Sequence, residues 1–348
     1  MKILGASDAD LAVAAGALRE GKLVAIPTET VYGLGGNGFD PVALARIFEA
    51  KRRPTFDPLI LHIAGLEELD RVADLSLLSR ESVDRLDRLS HTLWPGPLTL
   101  ILPKRAAVPD LATSGLSTVA VRFPAHRVAQ RIIRLAGVPI AAPSANPFGY
   151  LSPTRAEHVA QQLGDRIDYI VDGGRCSVGV ESTILDLSSG GPRILRPGGT
   201  ARERIEGLIG PVELWKGTGA TPTAPGQLAS HYAPHAALEL YPRGALERLG
   251  PPQAGEGYVF FDSPSREAWL RRWGPSVVSG TEAPVLRLLS EGGSLLEAAA
   301  NLFEILHELD SLALKRVYVE RVPDEGLGAA INDRLFRARS TAKPGAPL

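Results

Sequence analysis

The residues from 8 to 209 alternate between short, β-branched apolar segments and amphipathic helical segments. Apolar residues recur at helical spacing over residues 8–20, and a strand-like run, LVAIPTETVY, follows. A second helix begins at Asp40, a capping residue, with Pro41 in the first helical position. Five or more strands alternating with helices predict an α/β domain. The remaining predicted strands are PLILHIA, LTLILP, TVAVRFP, PIAAPSA, DYIVDGG and STILDLS.

A segment rich in Pro, Gly and Thr interrupts this pattern. Residues 213–237, ELWKGTGATPTAPGQLASHYAPHAA, show no helical or strand periodicity and are typical of a linker. Beyond them, LELYP, GYVFFDS and KRVYVERV are predicted strands, and SLLEAAANLFEILHELD is a predicted amphipathic helix. The sequence therefore predicts an α/β domain over residues 1–212, a linker over 213–237 and a smaller α/β domain over 238–340.

The composition argues against several classes of protein. The 348 residues are 44% hydrophobic, and 38 basic and 39 acidic residues give a formal net charge of −1. This balance argues against a protein whose main task is to grip a nucleic-acid backbone. The single cysteine, Cys176, excludes an internal disulfide and a cysteine-based zinc site, and it suits a reducing cytoplasm. Because neither a secretory signal nor a run of about 20 apolar residues is found, we expect a soluble chain.

The segment GLGGNG follows a predicted strand and matches G-x-G-x-x-G through Gly33, Gly35 and Gly38. In dinucleotide-binding proteins this pattern opens directly into a helix that binds pyrophosphate. Here Phe39 and Asp40 intervene, and an aspartate at the helix start would repel phosphate. We interpret the segment as a tight glycine turn. A nicotinamide-dependent oxidoreductase is an alternative that rests on this match alone.

The segment PTETVY alternates in a way that has two interpretations. In a strand, Thr28, Thr30 and Tyr32 would share one face, and Glu29 and Val31 the other. Two hydroxyls and a phenol on one face fit either a solvent-facing strand or the lining of a polar pocket.

Basic residues cluster at the end of the helix that begins at Asp40. Lys51, Arg52 and Arg53 fit a helix C-terminus, where cations interact favourably with the macrodipole. They also fit a triphosphate site, provided that two of them point into a pocket. His62, on the next predicted strand, fits a core histidine when it is considered alone.

Later segments carry small and hydrogen-bonding residues where strands meet loops. APSAN contributes Ser144 and Asn146, which are spaced to point the same way. SPT, beginning at Ser152, precedes a helix and either helps to bind an anion or caps that helix. VESTI and LRPGG contribute Ser182 and Arg196. Since the sequence contains no Walker A motif, any ATP site must be built another way.

Taken in order, these segments resemble one family, the YrdC-type threonylcarbamoyl-AMP synthases. The resemblance rests on IPTETVYGLGGNGFD, FEAKRRP, DPLILHI, WPGPLTLIL, VAVRFPAH, PIAAPSAN, SPT, DGG, GVESTI and LRPG, which span nearly all of residues 8–209. The segment TAPGQLASHYAPHA and the trailing domain resemble the long, two-domain form of that enzyme.

The resemblance implies an α/β fold. The first domain would be a twisted mixed-sheet YrdC-like domain with an open concave active site, and a long linker would join it to a smaller Rossmann-like α/β domain. The implied activity is synthesis of L-threonylcarbamoyl-AMP from L-threonine, bicarbonate and ATP, with release of pyrophosphate, for threonylcarbamoyladenosine formation in tRNA. Mg²⁺ would accompany ATP, without protein side chains assigned as its ligands. Downstream tRNA threonylcarbamoyl-transferase proteins would take the product in the cytoplasm, and contact with tRNA would be weak or indirect.

The resemblance also implies site residues. Lys51 and Arg53 would be catalytic. The family often has asparagine where this chain has Asp57, so the role of that carboxylate is open. The implied ATP-binding residues are Lys51, Arg53, Asp57, Thr118, Ser144, Asn146, Ser152, Arg196 and Tyr232, the last of which would come from the linker and cover the site. The implied L-threonine-binding residues are Thr30, His62, Arg122, Ala142 and Ser182.

Two further alternatives belong to other classes. YrdC-like domains also resemble double-stranded RNA-binding proteins, so an RNA-binding module without ATP chemistry is one alternative. The balanced charge and an obstructing linker argue against it. The carbamoyl-transfer domain of hydrogenase maturation proteins is the other, and a chain with one cysteine lacks the zinc segments of that class.

Overall fold

The computed structural model describes residues 1–215, 224–225, 232–277 and 283–339. The chain forms two compact units, one of residues 1–148 and 152–228 and the other of residues 149–151 and 229–348. The predicted two-domain α/β class is confirmed. Most of the predicted linker, residues 216–223 and 226–231, lies outside the described residues.

The described part of the first unit forms an eleven-stranded mixed sheet. The strands are β1 Lys2–Leu4, β2 Val24–Ile26, β3 Gly33–Asn37, β4 Ile60–His62, β5 Leu98–Pro103, β6 Thr118–Arg122, β7 Ile140–Ala141, β8 Tyr169–Val171, β9 Thr183–Asp186, β10 Arg193–Arg196 and β11 Glu213–Leu214. Their order across the sheet is β1-β8-β2-β3-β7-β4-β6-β5-β9-β10-β11. The helices are α1 Asp8–Arg19, α2 Pro41–Lys51, α3 Leu69–Val72, α4 Arg80–Leu93, α5 Asp110–Thr113, α6 Arg127–Ala136, α7 Ala156–Leu163 and α8 Arg202–Ile209.

The second unit contains a smaller, four-stranded sheet that is parallel throughout its described strands. Its strands are β12 Ala237–Tyr241, β13 Glu256–Phe260, β14 Val285–Leu288 and β15 Arg316–Glu320, in the order β12-β15-β13-β14. Its helices are α9 Ser263–Val277, α10 Leu295–Ser311 and α11 Gly328–Ala338. Tyr258, Phe260 and Trp269 form the centre of an aromatic core cluster in this unit.

The start of α2 is as predicted. The Asp40 carboxylate accepts a hydrogen bond from the backbone N–H of Val42 at 2.9 Å, and Pro41 occupies the first turn. Ala43, Leu44, Ile47 and Phe48 are buried on one side of the helix. Capping and an apolar stripe thus fix both the start of α2 and the face that it buries.

Strand alternation divides the larger sheet into two faces. On β6, Val119 and Val121 belong to the main core cluster, while Ala120 belongs to a small cluster on the opposite face. Thr118 and Arg122 share the face of Ala120, because side chains along a strand alternate with a period of two. We call this the site face. It also carries residues from β4, β5 and β9, namely Ile60, His62, Thr99, Ile101 and Ile184.

The prediction that GLGGNG is a tight turn is wrong, because Gly33–Asn37 is strand β3, paired antiparallel with β2 and β7. Glycine is needed at two positions because backbone atoms of neighbouring segments approach them closely. A Cβ atom at Gly35 would lie 2.9 Å from the carbonyl oxygen of Val24, and one at Gly38 would lie 2.8 Å from that of Pro139. A strand in place of the turn also removes the geometry of a dinucleotide fingerprint, which needs a loop leading into a helix.

The prediction that PTETVY is a strand is also wrong. Only Val24–Ile26 of the predicted strand is regular, and residues 27–32 form the loop of the β2–β3 hairpin. Thr28, Thr30 and Tyr32 are all buried, which contradicts the solvent-facing interpretation. The loop packs inward because Tyr32 donates a hydrogen bond from its hydroxyl to the carbonyl oxygen of Gly174 at 2.7 Å.

Several elements were not predicted from the sequence. They are β1, β10, β11, β14, α5, α8, α9 and α11. The sequence of α9, SPSREAWLRRWGPSV, contains prolines and a glycine that disfavour a helix. Burial of Trp269 in the aromatic core of the second unit offsets that preference.

Candidate active site

Four polar side chains form a row on the site face where neighbouring strands lie side by side. His62 of β4 and Thr99 of β5 are the register partners of Arg122 of β6. The hydroxyl oxygens of Thr99 and Ser182 lie 2.8 Å apart. Three of the predicted threonine-binding residues, His62, Arg122 and Ser182, therefore belong to one continuous polar row.

The guanidinium of Arg122 is held on three sides. Its Nε donates to the carbonyl oxygen of Gly96 at 3.3 Å, and its Nη1 donates to the hydroxyl of Thr30 at 2.9 Å. Its Nη2 lies 2.7 Å from Oε1 of Glu29 in a buried ion pair. Arg122 and the predicted threonine-binding residue Thr30 are thus brought together.

A hydrogen-bond chain fixes the hairpin loop against Arg122. The Thr28 hydroxyl donates to the carbonyl oxygen of Val31 at 2.6 Å, and it lies 2.8 Å from the Thr30 hydroxyl. Since the Thr28 hydrogen is already used, Thr30 is the donor to Thr28 and the acceptor from Arg122. The direction of every hydrogen bond in this chain is therefore determined.

Arg196 links the polar row to a second group of charges. Its guanidinium donates to the carbonyl oxygen of Ser182 at 2.8 Å and to the Ser182 hydroxyl at 3.2 Å. The positive charge of Arg196 also acts to lower the pKa of the Asp57 carboxyl. A predicted nucleotide residue and a predicted threonine residue are therefore in direct contact.

Lys51 is almost completely buried, with 1% of its surface exposed, whereas Arg52 beside it is exposed. The Lys51 ammonium donates to the carbonyl oxygens of Ser144 and Asn146 at 2.6 and 2.5 Å. Burial, and then the nearby charge of Arg53, lower the pKa of Lys51 well below its usual value. The basic cluster is therefore more than a helix C-terminus, because two of its three cations point inward.

Arg53 and Asp57 form a buried ion pair. Arg53 Nη2 lies 2.9 Å from Oδ2 of Asp57, and the same nitrogen donates to the carbonyl oxygen of Pro58 at 2.8 Å. Burial raises the pKa of Asp57, and the charges of Arg53 and Lys51 oppose that rise. Three of the four charged residues predicted on the nucleotide side thus occupy one buried cluster.

His62 is held neutral by its surroundings. Burial, and then the positive charge of Arg122, lower the pKa of His62 to about 3. Nδ1 of the ring lies 3.2 Å from the carbonyl oxygen of Ile60, so Nδ1 carries the hydrogen and Nε2 is the acceptor. A neutral imidazole with an acceptor nitrogen is suited to a substrate hydroxyl.

The remaining predicted residues occupy different surroundings. Ser152 donates its hydroxyl to the carboxylate of Glu181. It does not cap α7, whose N-cap residue is Arg155 and makes no side-chain cap, so the capping interpretation is wrong. Ala142 donates its backbone N–H to the carbonyl oxygen of Ile60 at 3.0 Å. Thr118 begins β6, four residues before Arg122 on the same face, and is partly exposed.

Tyr232 belongs to the second unit. Its ring lies 5.6 Å from that of Phe303 and 5.4 Å from the guanidinium of Arg334, and the residue is 1% exposed. The prediction that Tyr232 covers the nucleotide stays a prediction.

Sequence reasoning missed two buried glutamates, Glu29 and Glu181, that contact predicted site residues. A signal for Glu29 was present, because it is the only charged residue between Lys22 and Asp40. A lone charge inside an apolar segment needs a partner when it is buried. Glu181 carries the same signal, because it is the only charged residue between Arg175 and Asp186.

No helix within the described residues is long and apolar enough to cross a membrane. In the same part of the chain, no group of three or more His, Cys, Asp or Glu side chains is arranged to hold a metal ion. Cys176 is buried and unpaired with another cysteine, and burial raises the pKa of its thiol to about 12.

Two family models together cover most of the chain. The Sua5/YciO/YrdC model, described as telomere recombination, matches residues 16–198, and the model of the threonylcarbamoyl-AMP synthase C-terminal domain matches residues 200–340. The fold and these matches define a two-domain enzyme with the Sua5 architecture.

The relatives are similar along nearly their whole length. The threonylcarbamoyl-AMP synthase of Pyrococcus abyssi is 42% identical over 94% of this chain and 93% of the relative, and that of Bacillus subtilis is 40% identical over 96% and 94%. The crystal structure of P. abyssi Sua5 complexed with L-threonine has a TM-score of 0.82 at 37% identity, covering 97% of this chain and 99% of the other. The chain belongs to the threonylcarbamoyl-AMP synthase family, as the sequence motifs predicted.

Proposed function

We propose that this enzyme makes threonylcarbamoyl-AMP from L-threonine, bicarbonate and ATP on the site face of the first unit. The synthase activity follows from the family. The residue assignments rest on one observation, that Arg196 of the nucleotide side donates hydrogen bonds to the carbonyl oxygen and the hydroxyl of Ser182 on the threonine side. The threonine side and the nucleotide side are therefore adjacent, as a reaction between the two substrates requires.

On the threonine side, Arg122 binds the carboxylate, because a guanidinium can donate two parallel hydrogen bonds to it. The acceptor nitrogen of His62 and the hydroxyl of Ser182 are suited to the threonine hydroxyl. Thr30 orients Arg122 through its hydrogen bond, and Ala142 contributes backbone beside His62. These side chains are buried, so each hydrogen bond to the substrate is made away from water.

On the nucleotide side, Lys51 and Arg53 neutralise phosphate charge. Two of the three N–H bonds of Lys51 are used by backbone carbonyls, which leaves the third for a phosphate oxygen. The remaining nucleotide contacts that we propose are Asp57, Thr118, Ser144, Asn146, Ser152, Arg196 and Tyr232.

The proposed reaction needs positioning more than acid–base chemistry. Once the ammonium group of threonine has lost a proton, the amine and bicarbonate give a carbamate with release of water, and a carbamate oxygen then attacks the α-phosphorus of ATP and displaces pyrophosphate. Lys51 and Arg53 stabilise the charge that develops on the phosphate oxygens. Because the carbamate is already a nucleophile, the protein contributes mainly by aligning the reactants and excluding water.

We propose that Mg²⁺ enters with ATP. Nucleotide-bound Mg²⁺ is usually held by phosphates and one or two carboxylates. Asp57 fits this role, since neither of its carboxylate oxygens accepts a hydrogen bond from a residue in the described ranges. The ion would supply further neutralisation of phosphate charge.

The product would pass to separate tRNA threonylcarbamoyl-transferase proteins in the cytoplasm. A net charge of −1 supports weak or indirect contact between this chain and tRNA.

The test is pyrophosphate release by the purified enzyme with ATP, Mg²⁺ and bicarbonate, with and without L-threonine. We expect release to require both threonine and bicarbonate, and to fall at least about 100-fold in folded Lys51→Ala and Arg53→Ala variants. Lys22→Ala, an exposed lysine paired with Glu20, is the control. Wild-type rates in both test variants would contradict the assignment of Lys51 and Arg53 to the phosphates of ATP. RNA binding without turnover would favour the RNA-binding alternative.

A further inference from the structure

Glu29 carries a buried carboxylate that has no role in the proposed substrate sites. It lies in the loop of the β2–β3 hairpin, and its side chain is 8% exposed. The backbone of the loop is fixed there, because the carbonyl oxygen of Glu29 accepts a hydrogen bond from Val178 at 2.7 Å. The position of this carboxylate is therefore set by the fold.

The contact between Glu29 and Arg122 is an ion pair without a hydrogen bond. Oε1 and Nη2 are 2.7 Å apart, but their orientation does not meet hydrogen-bond geometry. Within the described residues, neither carboxylate oxygen of Glu29 accepts a hydrogen bond, and Nη2 of Arg122 donates none. A buried acceptor and a buried donor thus lie side by side, each with unused hydrogen-bonding capacity.

Such an arrangement is costly unless something else uses it. Buried polar groups are normally hydrogen-bonded, and an unused charged group is an exception that needs an explanation. A purely structural ion pair would be expected to align its N–H bonds with the carboxylate. The other two nitrogens of Arg122 each make a hydrogen bond, so within the described residues Nη2, which faces Glu29, is the nitrogen of this guanidinium that makes none.

We propose that Glu29 is the receptor for the α-ammonium group of L-threonine, beside Arg122 as the receptor for the carboxylate. An amino-acid zwitterion carries both charges on one carbon, so its receptors must be adjacent and of opposite sign. Glu29 and Arg122 meet this requirement. The inference rests on the proposed threonine site, and it identifies the residue that would orient the nitrogen on which the carbamate forms.

The binding of two ligands tests this role without relying on turnover. L-Threonine carries an ammonium group, whereas 3-hydroxybutanoate keeps the carboxylate and the hydroxyl but lacks the amine. Calorimetry would measure both affinities in the wild-type enzyme and in Glu29→Gln. We expect the substitution to weaken threonine binding at least about tenfold while leaving 3-hydroxybutanoate binding unchanged or stronger, because one carboxylate no longer repels the other.

Control variants separate this role from a positioning role and from a folding defect. Asp186→Asn removes a buried carboxylate that pairs with Arg193 at 3.2 Å in the same unit, and it should leave both affinities unchanged. Glu29→Asp retains the charge and should recover part of the preference for threonine. If Glu29→Gln does not fold, the test is the ratio of the affinities for L-threonine and 3-hydroxybutanoate in Glu29→Asp. A ratio equal to that of the wild type, with both ligands bound more weakly by the same factor, would overturn the proposal.

The outcomes also distinguish this inference from the site assignment on which it rests. Equal weakening of both ligands in Glu29→Gln would mean that Glu29 only positions Arg122, and the proposal would fail. Arg122→Lys should weaken both ligands. If it weakens neither, the threonine site itself lies elsewhere, whatever Glu29→Gln does.

Discussion

The ammonium nitrogen of Lys51 lies 2.6 Å from the carbonyl oxygen of Ser144, a contact between the end of α2 and the loop after β7. A cation that is held by two carbonyl dipoles and excluded from water has a pKa well below its usual value. A phosphate group brought to the same place has the opposite effect on that pKa, because an anion favours the charged form of the lysine.

The first prediction concerns proton uptake on nucleotide binding. If Lys51 contacts the triphosphate, ATP binding raises its pKa, and the enzyme takes up as much as about one proton at a pH between the two values. Calorimetry over a series of pH values, in buffers of different ionisation enthalpy, measures this number. Uptake should disappear in Lys51→Met and persist in the control Lys22→Met. Equal uptake in Lys51→Met and the wild type would place the titrating group elsewhere.

The second prediction concerns the shape of the guanidinium at position 122. Arg122→Lys keeps the charge but loses the fork that can bind a carboxylate through two hydrogen bonds. We expect the KM for threonine to rise roughly 10- to 100-fold, with the KM for ATP changed less than about twofold. Arg193→Lys, which alters a partly exposed ion pair with Asp186, is the matched control. Equal increases in both KM values would argue for a general loss of structure.

The third prediction concerns a glycine whose backbone packs against VESTI. A Cβ atom at Gly198 would lie 2.3 Å from the carbonyl carbon of Ser182 and from the nitrogen of Thr183. Gly198→Ala should therefore displace Ser182 and lower the free energy of unfolding by about 1–3 kcal/mol. Gly191→Ala is the control, since its added Cβ would meet nothing within 4 Å. Denaturant unfolding and the KM for threonine check the two effects, and equal behaviour of both variants would contradict this account.

The fourth prediction follows from the neutral state of His62. Its pKa is about 3 in the folded protein and about 6.5 in the unfolded chain, so the unfolded state binds more protons between these pH values. Stability must then fall as the pH decreases from 6.5 toward 3, with a contribution from His62 that approaches about 1.4 kcal/mol per pH unit. The difference in unfolding free energy between the wild type and His62→Gln should shrink along this range. A constant difference from pH 7 to pH 4 would show that His62 titrates normally.

The fifth prediction concerns the second unit, where Asp310 of α10 gathers two residues that are distant in the sequence. Its carboxylate accepts hydrogen bonds from the Tyr150 hydroxyl and from the backbone N–H of His235, the latter at 2.6 Å. Asp310→Ala removes both acceptors, so hydrogen exchange at the His235 amide should accelerate at least about tenfold. Glu308→Ala, which removes an exposed partner of Arg287 on the same helix, should leave this amide unchanged. Unchanged exchange in Asp310→Ala would mean that other contacts protect it.

The sequence by itself determined the α/β class, most of the strands and the start of α2. These features depend on local chemistry: β-branched alternation, the Asp40 cap and the apolar stripe of the helix act over a few residues. The order of the motifs also determined the family, because the residue sequences IPTETVYGLGGNGFD, APSAN and VESTI indicate it whatever structure they adopt.

Only the tertiary structure decided how these motifs are used. GLGGN forms a strand whose glycines allow neighbouring backbone to lie where a side chain would otherwise be. PTETVY forms a buried loop, and Gly174 and Arg122 supply hydrogen-bond partners for its polar groups. The pairing of Arg122 with Glu29 joins residues on different elements. Spacing along the chain is present in the sequence itself, whereas burial and charge pairing depend on residues that meet only when the sheet is assembled.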